Sequence, residues 1–256
     1  TAEQFAGLAY LVNGVQSYNP ALDNDLEADF GYYAGEPDGK KSARPDESAA
    51  ENSISFEGKT IYLDADLDLC PVDANGDLVK LPGNEQLSMM PVGYSSYTPF
   101  KGTFDGQGHT ISGMYAVGYM ESVGMFAGTQ RGCVIKNFKL VNSFFKNNGD
   151  MGTGSILAKG GGTIDTVYSD AIVVSTGWHS GGLVGTFTAS GSNKITNCWF
   201  DGTITLPDSV NFVGGISCLL NFYNLILNGV VTSCVYFHWR YADTKRYHHR
   251  TGKHYA

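Results

Sequence analysis

The sequence has no run of about 18 apolar residues, so it does not predict a membrane-spanning helix. Charged residues make up only 16% of the 256 positions and the formal net charge is −8, which disfavours nucleic acid as a partner. His-Glu-x-x-His, Gly-x-Ser-x-Gly, P-loop and dinucleotide-binding motifs are all absent from the sequence. These absences argue against zinc-peptidase, serine-hydrolase and nucleotide-dependent chemistry.

The cysteines do not form a recognisable disulfide or metal framework. There are five, at Cys70, Cys133, Cys198, Cys218 and Cys234. An odd number without any Cys-x-x-Cys spacing disfavours a disulfide scaffold, a zinc ribbon and a thioredoxin-like site. Four of them lie within or beside apolar segments, where cysteine acts as a small hydrophobic residue. We predict that Cys198 and Cys234 point inward as free, poorly reactive thiols.

Glycine is abundant, with 33 residues, and several of them belong to a glycine-rich segment that is present in four copies. The copies align at Gly124, Ser155, Gly182 and Gly215, roughly 30 residues apart. A period of this size in a β-rich sequence predicts a solenoid, in which neighbouring turns bury a shared core. We therefore predict an all-β solenoid, a parallel β-helix, with these repeats over residues 123–236.

A second repeated element follows each glycine-rich segment and predicts which side chains face inward. One aligned column is β-branched throughout, and the column three residues further on is apolar; both are predicted to face the core. Between these columns lies a polar column, which suits a turn whose side chains bond to neighbouring turns. The three columns are Ile135, Ile164, Ile195 and Val231; Phe138, Val167, Cys198 and Cys234; and Asn137, Thr166, Asn197 and Ser233.

The next column, Lys139, Tyr168, Trp199 and Val235, is predicted by alternation to face outward. Tyr168 and Trp199 would then be adjacent exposed aromatics, which can stack on sugar rings or on a partner's aromatic residues. Trp178 and His179 follow the Tyr168 strand and are candidates for the rim of this ligand-binding face. The alternative is that a loop covers the two rings, or that they simply suit a strand.

The ends of the chain differ from the repeats. Thr1 and Gln4 have the form of a capping box, and Phe5, Leu8, Ala9 and Val12 follow with helical spacing. We predict a helical cap over residues 1–14 that covers the open end of the solenoid. Residues 16–52 are an acidic insertion loop, residues 1–240 form a single β-helix domain, and residues 241–256 form a basic C-terminal tail.

No cofactor is predicted, but one segment has the composition of a weak calcium site. Asp73, Asn75 and Asp77 alternate in a short run and could supply oxygen ligands to calcium. A β-hairpin that turns at Asn75-Gly76 explains the same residues more simply.

Two stretches together carry a family resemblance. Phe100-Lys-Gly-Thr-Phe-Asp-Gly-Gln-Gly-His-Thr-Ile111, followed by Val123-Gly-Met-Phe-Ala-Gly128, resembles the GLUG-repeat proteins. The resemblance implies a right-handed parallel β-helix with GLUG-like repeats over residues 123–236. It also implies a secreted or cell-surface bacterial protein, of the kind found in adhesin-like proteins and beside IgA-specific metallopeptidases. Ser155 and Cys218 stand where the repeat expects glycine.

Catalytic signals are sparse. The candidate groups are Asp105, His109, Asp165, Asp170, His179 and Asp201. Glycosidases usually place two carboxyl groups about one sugar bond, but the aligned columns supply no such pair, and Asp165 aligns instead with Lys136 and Thr196. We therefore expect a non-enzymatic adhesin-like module that binds a glycan or a host protein through an exposed β-helix face. The alternatives are a polysaccharide lyase or glycoside hydrolase of the β-helix type, and a structural stalk within a larger surface protein.

Overall fold

The structure, a computed structural model, describes residues 1–14, 51–69, 89–93, 98–118, 122–147, 152–176, 179–187, 193–206, 212–219, 231–232 and 235–236. These residues form one short N-terminal helix and otherwise β-strands. The elements are α1 (Ala2–Asn13), β1 (Thr60–Tyr62), β2 (Leu67–Asp68), β3 (Thr103–Asp105), β4 (Thr110–Ser112), β5 (Tyr115–Gly118), β6 (Phe126–Gly128), β7 (Val134–Val141), β8 (Phe144–Asn147), β9 (Leu157–Gly160), β10 (Thr163–Ser169), β11 (Ile172–Ser175), β12 (His179–Gly181), β13 (Val184–Phe187), β14 (Lys194–Thr196), β15 (Trp199–Phe200), β16 (Thr203–Thr205), β17 (Phe212–Gly214), β18 (Ser217–Leu219), β19 (Val231–Thr232) and β20 (Val235–Tyr236).

The N-terminal helix has the boundaries and the buried face that its sequence predicts. The Thr1 hydroxyl accepts a hydrogen bond from the backbone N–H of Gln4, and the Gln4 side chain bonds back to the Thr1 amino group. Gly14 ends the helix in the left-handed conformation, at φ 72°. The ring of Phe5 meets the ring of Phe104 edge to face, with centroids 6.2 Å apart, so the helix packs on the core of the strand region. No helix in the described ranges is long and apolar enough to cross a membrane.

The largest sheet is parallel and joins equivalent strands of successive repeats. Its strand order is β1-β3-β7-β10-β14-β19, with β2, β4, β15 and β20 paired alongside. Ile164 pairs with Ile135 on one side and with Ile195 on the other, and Ile195 pairs in turn with Val231. The predicted pairing of consecutive repeats is therefore confirmed, and the chain is mostly β with parallel sheets.

Three smaller parallel sheets contain the remaining strands. Their orders are β16-β11-β8-β5, β18-β13-β9-β6 and β12-β17. In the second of these, Phe126 pairs with Leu157, Leu157 with Val184, and Val184 with Ser217. Each of these residues lies two positions after an aligned member of the glycine-rich segment. Residues that align between the four sequence copies are therefore paired neighbours in this sheet.

The core follows the alternation of the strands. Ile135, Ile164 and Ile195 are each 1% exposed, and the second predicted column of Phe138, Val167 and Cys198 is equally buried. Phe104 extends the first column by one strand, because it pairs with Ile135 and is itself buried. Burial of such side chains is the main favourable contribution to folding, at about 1.5–3 kcal/mol each.

The glycine-rich segments leave little space for a side chain, because the backbones of neighbouring copies lie against each other. A methyl group at Gly182 would lie 2.1 Å from the carbonyl oxygen of Gly215, so only glycine fits. Ser155 is the predicted exception, and its hydroxyl donates a 2.6 Å hydrogen bond to the carbonyl oxygen of Gly182. A serine is therefore accommodated at this position because its hydroxyl bonds to the neighbouring copy.

Several predicted features lie wholly or largely outside the described residues. They are the acidic loop 16–52 except for its last two residues, the Asp73, Asn75 and Asp77 segment with its hairpin turn, Trp178, Cys234 and the tail 241–256. Among the described cysteines, Cys133 and Cys198 are buried thiols that form no disulfide, and burial raises the pKa of Cys133 to about 12. A thiol of that kind is protonated at neutral pH and reacts slowly.

Candidate functional site

The largest sheet bends at one point in each of three successive repeats, and polar residues form the bend. Asn137, Thr166 and Asn197 have positive φ angles of 59°, 55° and 52°. This left-handed conformation is uncommon for residues other than glycine, and asparagine tolerates it best. The three residues lie on successive repeats, which confirms the predicted polar column for these members. Together they form the floor of a concave strip on the outer surface.

Both asparagines among these bend residues bond to an aspartate on the preceding repeat. The Asn137 amide Nδ2 donates to Asp105 Oδ1 at 3.0 Å, and the Asn197 amide Nδ2 donates to Asp165 Oδ1 at the same distance. Asp165 also accepts a hydrogen bond from the Thr196 hydroxyl. These links hold the bend residues in place, since each bridges two hydrogen-bonded strands.

Asp105 is the more constrained of the two aspartates. Lys136 Nζ lies 3.1 Å from Asp105 Oδ2, and the backbone N–H of Gln107 donates to Oδ1 at 3.0 Å. Burial alone would raise the pKa of Asp105, but the bonds from Gln107, Asn137 and Lys136 outweigh it and lower the pKa below its usual value. Asp105 is therefore ionised and engaged at neutral pH.

The aromatic pair lies on one side of the bend. Tyr168 pairs directly with Trp199 across β10 and β15, so the two side chains leave the sheet on the same face. Trp199 is 42% exposed, which places it among the few large hydrophobic residues on the surface. Lys139 pairs with Tyr168 from the other side and is exposed. The predicted outward column is thus confirmed for its first three members.

The bend and the aromatic pair belong to one open groove of about 680 Å³. Four consecutive strands of the large sheet, or the loops after them, contribute to its lining. The lining residues are Asp105, Gln107, Gly108, Asn137, Phe138, Lys139, Thr166, Val167, Tyr168, Asn197 and Trp199. Because neighbouring strands lie about 4.8 Å apart, the four strands give the groove a length of about 14 Å across them.

The end of the groove opposite the aromatic pair is polar and comes from an insertion in the repeat. Asp105 pairs with Lys136 and Thr110 pairs with Lys139, so residues 106–109 lie opposite residues 137–138. The extra residues place Gln107 in the left-handed region, at φ 51°. The side-chain nitrogen Nε2 of Gln107 donates a hydrogen bond to the Leu63 carbonyl oxygen at 3.1 Å. The groove therefore has a polar end at Gln107 and an aromatic end at Trp199.

A pair of carboxylates beside the aromatic residues was not anticipated from the sequence. Ser169 pairs with Phe200, and Asp170 and Asp201 each come next in the chain. Burial raises the pKa of Asp170, the hydrogen bond from Asn142 N–H opposes that rise, and the Asp201 carboxylate adds to it. Burial and both carboxylates also raise the pKa of Tyr168. The expectation that no two candidate carboxylates share an aligned position is therefore wrong for this pair.

The other candidate residues are dispersed. His109 Nδ1 lies 3.1 Å from Asp66 Oδ1, an exposed contact that holds the loop before β4 against the loop before β2. His179 begins β12 in a different sheet and does not line the groove, and burial lowers its pKa. Within the described ranges, no group of three or more His, Cys, Asp or Glu side chains is placed to hold a metal ion.

Comparison with known proteins adds one distant neighbour. No protein-family model matches the chain, and no curated protein matches it either. Among solved structures, the chain is similar to the crystal structure of a putative immunoglobulin A1 protease from Bacteroides ovatus, with 19% sequence identity and a TM-score of 0.39. The matched region covers 73% of this chain and 61% of that one, so it spans less than two thirds of the neighbour's length. A similarity of this strength carries no argument about activity.

Proposed function

We propose that the chain is a non-enzymatic, adhesin-like module that binds a glycan or a host protein through the groove. The observation that carries this proposal is the direct pairing of Tyr168 with the exposed Trp199 inside a groove that also presents polar side chains, among them Gln107, Asn137 and Lys139. Sugars present apolar ring faces and a rim of hydroxyls, so an aromatic surface beside hydrogen-bonding groups matches both parts. A glycan is therefore the favoured ligand.

We propose further that the parallel sheets are the faces of a right-handed β-helix closed at one end by α1. The repeated pairing of residues one repeat apart supports this, as does the helix that packs on Phe104. Right-handedness follows from the twist of strands, because a connection between parallel strands of one sheet is right-handed in nearly all proteins. The resemblance to GLUG-repeat proteins belongs to the same proposal, together with a secreted or cell-surface location in a bacterium.

The polar groups of the groove suit a neutral or weakly charged ligand. Asp105 forms an ion pair with Lys136, and Asp165, which does not line the groove, accepts hydrogen bonds from Thr196 and Asn197. The negative charge of Asp105 is therefore compensated inside the protein, while the exposed Thr166 and Lys139 remain accessible to a ligand's hydroxyl groups. Such arrangements confer orientation and specificity, while the aromatic surface supplies most of the affinity.

A glycan array probed with the wild-type protein and with Trp199→Ala tests this function. We expect the wild type to bind a defined subset of glycans and the variant to bind them with an affinity lower by about 1–3 kcal/mol, as for an aromatic hot spot. Ile172→Ala is the matched control, because Ile172 is also exposed, at 46%, but lies on β11 in another sheet. Equal binding by wild type and Trp199→Ala would contradict the proposal.

A second candidate function is glycoside hydrolysis, and the Asp170 and Asp201 pair favours it. Glycosidases use one carboxyl group with a raised pKa as the acid and a second, ionised one as base or nucleophile. The two aspartates occupy equivalent positions on neighbouring strands beside Tyr168, where a bound sugar would lie. If the chain is a hydrolase, it releases new reducing ends from a glycan that it binds, and Asp170→Asn and Asp201→Asn each abolish release without abolishing binding. Absence of release from every bound glycan would exclude this candidate.

A further inference from the structure

The groove crosses the strands of the sheet instead of following one of them, and this direction constrains the shape of its ligand. Asp105 and Gln107 come from β3 and the loop after it, Lys139 from β7, Tyr168 from β10 and Trp199 from β15. The strands β3, β7 and β10 are consecutive neighbours in the sheet, and β15 pairs with β10. A ligand that touches both ends of the groove must therefore extend over about 14 Å.

The two ends of the groove differ in chemistry. Because they lie about 14 Å apart, one small molecule does not contact both. Trp199 and Tyr168 offer ring faces at one end. Lys139 offers an ammonium group one strand away from Tyr168, and Gln107 is exposed at the far end. A single sugar ring that stacks on the aromatic pair is too short to reach Gln107, whereas a chain of rings repeats its hydroxyls along its length and reaches both.

From this geometry, and resting on the glycan-binding function proposed above, we propose that the ligand is a linear oligosaccharide of at least three sugar units lying across the strands. One ring stacks on Tyr168 and Trp199, and the following units accept and donate hydrogen bonds along Lys139, Asn137 and Gln107. The repeat explains why a linear ligand fits the groove. Each successive repeat adds one bend residue, such as Asn137 or Thr166, and one residue of the outward column, such as Lys139 or Tyr168.

The test is binding as a function of chain length. Titration calorimetry with monomer-to-hexamer series of cello-, xylo-, manno- and galacturono-oligosaccharides should give, for at least one series, an affinity that rises roughly two- to tenfold per added unit up to three or four units and then levels off. Lys139→Met should weaken binding of the trimer and longer chains roughly two- to tenfold and leave the monomer unaffected. Trp199→Ala should weaken binding at every length. Lys146→Met, on β8 in another sheet, is the control and should change nothing.

The possible outcomes test the proposed ligand length and the proposed glycan binding separately. Binding that is equally strong for the monomer and the hexamer, or that Lys139→Met does not change at any length, overturns the linear-oligosaccharide proposal and leaves glycan binding intact. Failure of every series at every length to bind removes the oligosaccharide ligand altogether and counts against the proposed function as well.

Discussion

Tyr168 and Trp199 are directly paired residues on neighbouring parallel strands, one repeat apart. Their side chains leave the sheet together because paired positions in a parallel sheet share a face. Strand pairing fixes the backbone that carries both rings, so a ligand that stacks on them does not need to bring the two residues together. The same pairing places Lys139 next to Tyr168, which joins an aromatic and a charged surface within one groove.

The first prediction concerns the core column. Ile164 is 1% exposed and is paired on both sides by other isoleucines. Ile164→Ala should lower the free energy of unfolding by about 2–5 kcal/mol, because it removes buried methyl groups and leaves a cavity. Denaturant unfolding followed by circular dichroism measures this change. Ile172→Ala is the matched control, since that side chain is 46% exposed, and a loss as large as that of Ile164→Ala would contradict the assigned core.

The second prediction uses two glycines in opposite surroundings. Gly182→Ala should destabilise the fold severely, because the new methyl group would lie 2.1 Å from the Gly215 carbonyl oxygen and 2.4 Å from the ring of Phe200. Gly7→Ala should stabilise it by about 0.5–1 kcal/mol, because a methyl group at Gly7 meets nothing within 4 Å and alanine favours the helix. Thermal melting of both variants beside the wild type gives the two signs. A stable Gly182→Ala protein would mean that the glycine-rich copies do not lie as close as described.

The third prediction concerns pH. The pKa of Asp105 is lowered in the folded protein, so its contribution to stability is fully present above the unfolded value of about 3.9 and is lost as pH falls through the folded value. Asp105→Asn should therefore lower stability by about 1–2 kcal/mol at pH 7, where it removes the ion pair with Lys136, and by progressively less below about pH 4.

Urea unfolding at several pH values from 7 down to 3 measures that difference. Asp68→Asn is the control, because Asp68 is exposed and the bond it accepts from the Ser112 hydroxyl is long, at 3.4 Å. A destabilisation by Asp105→Asn that stays constant across the range would show that the aspartate acts through packing and not through its charge.

The repeats made much of this architecture predictable from the sequence. Once Ile135, Ile164 and Ile195 were aligned, parallel pairing fixed the inward column, the polar bend and the outward Tyr168 and Trp199. The helix was predictable for a separate, local reason, since its cap and its buried face are encoded within fourteen residues ending at Gly14.

The groove itself could not be predicted in full, because its polar end comes from a part of the chain that breaks the repeat. Residues 106–109 lie opposite residues 137–138, so a simple alignment misplaces Gln107. The Asp170 and Asp201 pair was missed for a different reason, since both residues follow the last aligned position of their strands. Burial raises the pKa of Asp170 and the Asp201 carboxylate adds to the rise, and a pattern of hydrophobic alternation registers neither effect.

The most direct measurement of the central claim is a nuclear magnetic resonance titration of the labelled protein with the tightest-binding oligosaccharide from the glycan array. Binding in the groove should shift the indole N–H signal of Trp199 and the backbone amide signals of the bend residues Asn137, Thr166 and Asn197, because these groups line the groove floor and its aromatic end. Signals from the sheet that contains Ile172 should not move. Shifts confined to that other sheet, with Trp199 and the bend residues unchanged, would contradict the account.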